Sequence, residues 1–205
     1  RGDLFEGLEV WKDEKYRALQ GTFPVIMVSF AGVKEKNYSG AKKRICQILT
    51  DLCRKNAFLM EGTVLSEEEK AEYRKISMDM QETVAAMALH KLSHYLFRYY
   101  GKKVILLLDE YDTPMQEAYV NGYWEDLAAF VRNLFNASFK TNPYLERAMM
   151  TGITRISKES IFSDLNNLEV VTTTSEKYQE AFGFTKQEVL EALEEFGLSE
   201  SAEEV

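Results

Sequence analysis

Five apolar residues run into two carboxylates at Val104-Ile105-Leu106-Leu107-Leu108-Asp109-Glu110. A buried strand of this kind delivers its last residues to the carboxyl edge of a sheet, where ligands gather in open α/β folds. There Asp109 can hold a divalent cation such as Mg²⁺ on a nucleotide. Glu110, where the chain leaves the sheet, can orient and deprotonate a water. General-base assistance of this type is worth roughly 10²–10⁴ in rate. The same letters also serve as a plain strand-to-turn signal, so the segment alone leaves both readings open. A second candidate follows another apolar run, at Thr151-Gly152-Ile153-Thr154-Arg155. A hydroxyl at Thr151 can sense a terminal phosphate and the cation of Arg155 can counter its charge. A solvated threonine and a surface arginine are the alternative.

These residues need strands to carry them. Residues 23–30 (Phe-Pro-Val-Ile-Met-Val-Ser-Phe) read as a strand buried on both faces, preceded by an amphipathic stretch at 8–19. Asn37 or Ser39 opens a helix with Ile45, Ile48, Leu49 and Leu52 at helical spacing, and Ser66-Glu67-Glu68-Glu69 has the form of a capping box. A longer helix carries Val84, Ala88, Leu92, Tyr95, Leu96 and Tyr99 on one stripe and ends at Gly101. The second strand is 104–108, broken by Thr113-Pro114. Leu127, Phe130, Val131, Leu134 and Phe135 mark the next helix, stopped at Thr141-Asn142-Pro143. Residues 148–153 and 168–172 read as a third and a fourth strand, and Thr185-Lys186-Gln187-Glu188 caps a last helix ending near Gly197. Apolar strands alternating with helices imply a mostly parallel sheet covered on both faces, a three-layer α/β fold.

With 205 residues and 45% hydrophobic content the chain can bury one full α/β domain. No apolar run has the length of a membrane span, and the polar start Arg1-Gly2-Asp3 is not a secretory signal, so a cytoplasmic location is expected. That start also lacks Met, which suggests a piece of a longer protein. A net charge of −8 argues against general nucleic-acid binding; Lys42-Lys43-Arg44 and Arg54-Lys55 read as solvated helix faces. Cys46 and Cys53 share a helix face about 10 Å apart by helical rise, too far for a disulfide, and read as reduced, half-buried thiols. His90 and His94 are spaced i, i+4, but without a third ligand they read as packing residues rather than a metal site. The aromatics Tyr95, Phe97, Tyr99 and Tyr100 read as core and rim, not as a base-stacking platform.

In one order the chain presents Leu108-Asp109-Glu110-Tyr111-Asp112-Thr113-Pro114, then residues 151–162 (Thr-Gly-Ile-Thr-Arg-Ile-Ser-Lys-Glu-Ser-Ile-Phe), then Leu165-Asn166-Asn167-Leu168, then Phe182-Gly183-Phe184 within 178–185. These motifs closely resemble the bacterial AAA-ATPase-like family, predicted ATPases often followed by a PD-(D/E)XK nuclease-like domain. The resemblance runs from about Leu4 to Leu193. It implies a P-loop NTPase-like fold with residues 1–184 as the core and 185–205 as the start of a C-terminal helical lid and acidic tail. It also implies that Asp109 is the Mg²⁺ ligand, Glu110 polarises the attacking water, Thr151 is the sensor and Arg155 contacts a phosphate or a neighbouring subunit. Asp112 is left without a role.

One family feature is missing from these residues. The Gly-rich loop ending in Gly-Lys-Ser/Thr, which cradles the phosphates of ATP, does not occur; Gly40-Ala41-Lys42 and Gly101-Lys102-Lys103 have the wrong spacing and no hydroxyl after the lysine. The resemblance places that loop, with the strand before it, upstream of 4–10. The expectation is therefore the acidic and sensor portion of an Mg²⁺-dependent ATPase that lacks its P-loop strand and is inactive as this chain. Its sheet edges, left unpaired, would rearrange or self-associate. A non-catalytic interaction module on an ATPase-derived scaffold is the competing expectation, and a downstream nuclease-like domain a further implication.

Overall fold

The computed structural model describes residues 1–153, 165, 168–178 and 183–199. The chain forms two compact units, Arg1–Asn166 and Asn167–Val205. The first holds a parallel sheet of β1 (Val25–Ser29), β2 (Val104–Asp109) and β3 (Leu145–Met150) in the order β1-β2-β3. Met27 is in register with Leu107 and Leu107 with Met149, so these three residues form one row across the sheet.

The crossover from β1 to β2 runs through α3 (Tyr38–Lys55), α4 (Glu67–Arg74) and α5 (Glu82–Tyr100). Each begins or ends where its local chemistry directs. Asn37 caps α3 by accepting from the Gly40 amide, and Ser66 and Glu69 form a reciprocal capping box on α4. Gly101 closes α5 at φ +66°, a conformation that suits glycine. From β2 to β3 the chain passes through α6 (Thr113–Asn121), α7 (Trp124–Phe135) and a π-helical turn at Asn136–Lys140. β2 ends at Asp109, before Thr113-Pro114; that pair instead starts α6, because proline suits the first turn of a helix, where its missing N–H costs nothing.

The core lies between one face of the sheet and α3, α5 and α7, which pack on one another, with α5 also against β2. Ile26, Val28, Leu106 and Leu108 of the sheet are buried, as are Ile45, Leu92 and Val131 of the helices. The other sheet face corrects the expectation of a third layer. Val25 and Met27 are each 53% exposed and Met149 is 50% exposed, so β1 alternates between a covered and an open side. Right-handed crossovers between strands laid down in sequential order place both connections on the same side of a sheet. Covering the second side would require the strand order to reverse.

Three further expectations change. The stretch 8–19 is broken at Asp13 into α1 (Glu9–Lys12) and α2 (Glu14–Leu19), and its apolar residues stay largely exposed. The third strand runs Leu145–Met150 rather than 148–153; Glu146 and Arg147 sit on its exposed edge, where no apolar run is required. Residues 168–172 adopt no strand, since among the described residues they have no strand to pair with. Beyond these, the last helix, α8 (Lys186–Glu195), carries its Thr185–Glu188 capping box as expected. Cys46 and Cys53 are more deeply buried than expected, and burial pushes the Cys53 thiol up to about 12.

His94 stacks on Tyr144, with ring centroids 4.3 Å apart, while His90 meets the same tyrosine edge-on at 5.7 Å. Burial holds both histidines below their ordinary value, helped by Arg98 at His94 and by Lys91 at His90. The unfolded chain therefore binds more protons than the folded one below about pH 6.5. Urea midpoints should be level above that pH and fall as the pH drops towards the folded-state values. His94→Gln should flatten the fall, and an unchanged slope would remove His94 as its source.

Candidate active site

The carboxyl ends of the three strands meet in one row on the open side of the sheet. Ser29 is in register with Asp109, and Thr151 directly follows β3. The Ser29 hydroxyl donates to Asp109 Oδ2 at 3.1 Å and the Thr151 hydroxyl donates to Asp109 Oδ1 at 2.7 Å. Each oxygen of the carboxylate thus has a hydroxyl from a different neighbouring strand. Backbone pairing holds the row in place: Phe30 N–H donates to the Asp109 carbonyl at 2.9 Å, and Thr151 N–H to the Leu108 carbonyl at 2.9 Å.

Beyond Asp109 the chain turns sharply. Glu110 has φ +50°, in the left-handed region that costs an L-residue roughly 1–2 kcal/mol. The Glu110 side chain is half-buried, and the Thr113 hydroxyl donates to its Oε2 at 2.9 Å. The next residues lock onto the end of β3. Tyr111 N–H donates to the Thr151 carbonyl at 3.1 Å, and the buried Asp112 accepts from Ile153 N–H at 3.1 Å.

Of the four site residues expected from sequence, Asp109, Glu110 and Thr151 are gathered at this edge; Arg155 lies outside the described residues. Ser29 was not singled out, since a lone serine before Phe30 matches no motif. Its position was nevertheless readable as the last residue of the strand that pairs with the acidic one. Asp109 with two hydroxyls is a hard-oxygen donor set, and half-exposed at a sheet edge it suits Mg²⁺, a cation commonly held by one or two carboxylates with water and phosphate completing its shell. Among the described residues no three His, Cys, Asp or Glu side chains gather as an all-protein metal cage. Nor, among them, is any helix long and apolar enough to cross a membrane.

Comparison with known proteins gives a consistent pattern. A family model described as a predicted AAA-ATPase matches residues 1–162. An uncharacterised protein from the vnfD 5′ region of Azotobacter chroococcum mcd 1 is 25% identical over 187 residues, or 91% of this chain. The chain spans 32% of that relative's length. No solved structure matches.

The backbone at Glu110 makes a prediction independent of catalysis. Glycine relieves left-handed strain and alanine does not, so Glu110→Gly should be more stable than Glu110→Ala by about 1 kcal/mol. Denaturant melts of the two variants measure the difference; equal stability, or the reverse order, would contradict strain at this turn.

Proposed function

We propose, since this chain belongs to the predicted AAA-ATPase family, that the intact protein binds ATP with Mg²⁺ and hydrolyses it at the carboxyl edge of this sheet. The observation that carries the reading is the carboxylate of Asp109 held between the hydroxyls of Ser29 and Thr151, with Glu110 the next residue, at the turn. Asp109 would hold the cation. Bound Mg²⁺ would neutralise charge on the phosphate oxygens. Glu110 orients the attacking water and takes its proton. The Thr151 hydroxyl, which donates to Asp109, would sense the terminal phosphate; Arg155 is assigned the countercharge by the family resemblance alone.

The 205 residues contain no Gly-Lys-Ser/Thr loop, so we assign the phosphate cradle to a part of the intact protein outside this chain. Two features support that assignment. Asp109 projects on the same side as the row Met27–Leu107–Met149, whose outer members Met27 and Met149 are exposed, and parallel sheets are ordinarily covered on both faces. Among the described residues the outer edge of β3 pairs with no strand. A strand and helix docking there would cover the apolar row and bring a loop to the acidic edge. Without them the edge is open to self-association. The competing reading, a non-catalytic module, rests on the missing loop, and the sequence upstream of Arg1 discriminates the two.

By calorimetry the isolated chain should hold ATP more weakly than about 1 mM; micromolar binding would overturn the assignment of the cradle elsewhere. In protein extended upstream, Glu110→Gln should lower turnover by about 10²–10⁴ while nucleotide stays bound. Unchanged turnover would remove Glu110 from the role of base.

A further inference from the structure

We propose that Asp112 is the positioning residue of this site: its buried carboxylate clamps the exit of β3 to the exit of β2, and so keeps the Thr151 hydroxyl on Asp109. The inference rests on the catalytic reading above only for its kinetic consequence. Asp112 is 1% exposed, a setting in which polar atoms must find hydrogen-bond partners. Its Oδ2 accepts from Ile153 N–H at 3.1 Å and from the Gln116 side-chain amide at 2.8 Å. The first partner belongs to the segment after β3, the second to α6. The Asp112 carbonyl meanwhile accepts from the Met115 and Gln116 amides, fixing the residue to the first turn of that helix.

Gly152 supplies the other half of the clamp. A Cβ at this position would lie 2.5 Å from Asp112 Oδ1 and 2.8 Å from the Tyr111 ring. Glycine is required there by close approach, without any appeal to its backbone freedom. Thr151 is therefore tied on both sides. Its own backbone pairs with Leu108 and Tyr111, and the two residues after it are pressed onto and bonded to Asp112. Thr151 meets Asp109 through one rotatable hydroxyl at 2.7 Å, so a shift of its backbone carries that contact away. Displacement of about 1 Å at a reacting centre can cost on the order of 10²-fold in rate.

Two measurements test this separately from the ATPase reading. In the 205-residue chain, amide hydrogen exchange should quicken at least about tenfold at Ile153 and Thr151 in Asp112→Ala and in Gly152→Ala, while the Leu106 amide keeps its protection. An unchanged Ile153, or a Leu106 that quickens as much, would overturn the clamp. In the intact protein both variants should lower kcat by about tenfold to a hundredfold with KM for ATP within about twofold. Asp112→Asn, which keeps the shape and one acceptor oxygen, should recover part of the loss. Full kcat in Asp112→Ala overturns the proposal. An unsubstituted intact protein without turnover counts against the ATPase reading alone, and the exchange experiment then decides the clamp.

Discussion

The one-way order of the strands is the constraint on which the rest of the structure depends. Parallel strands cannot be joined by a hairpin, so each must be followed by a crossover that returns over the sheet. With β1, β2 and β3 adjacent in chain order, crossovers of the usual right hand put every connection on one side. That gives α3, α5 and α7 a common face to bury and leaves Val25, Met27 and Met149 facing away from them. It also makes β2 the central strand, with a neighbour on either side at its carboxyl end. A carboxylate in that position can be held from both sides, as Asp109 is by Ser29 and Thr151. The acidic row and the open face are two products of the same topology.

What could be read from the residues follows from how local each signal is. The run 104–108 reads as a strand because it is continuously apolar and short, and it forms, extended by Asp109. The capping boxes at Ser66 and Thr185, the Asn37 cap and the Gly101 stop are complete within four residues, so they too were legible. Burial was less so. The apolar run at 23–30 reads as covered on both faces because apolar character reports what a strand can bury, and only the topology decides what reaches it. Residues 168–172 illustrate the same limit, for a strand is defined by its partner.

The site divides along that line. Asp109 and Glu110 are adjacent in sequence and their pairing was readable there, whereas the contact between Asp109 and Thr151 spans 42 residues and that with Ser29 spans 80. Thr151 was identified through its surrounding motif; Ser29 has none, and only strand register brings it to the row. Asp112 was visible as a third acid in the motif, but its meaning lay in burial and in a glycine with no room for a Cβ, neither of which sequence spacing conveys.

Those long separations have a kinetic side. Closing a loop costs entropy that rises slowly with its length, and pairing of distant parallel strands is among the slower events of folding. The hydroxyl row needs both crossovers to be complete before Asp109 has its two donors. A collapsed chain with its helices formed but its strands unpaired would therefore carry the acidic residues without the site they build. On the proposed reading, a cation bound at the assembled row would draw on the fully paired sheet, adding to its stability by mass action and not to that of the unpaired chain.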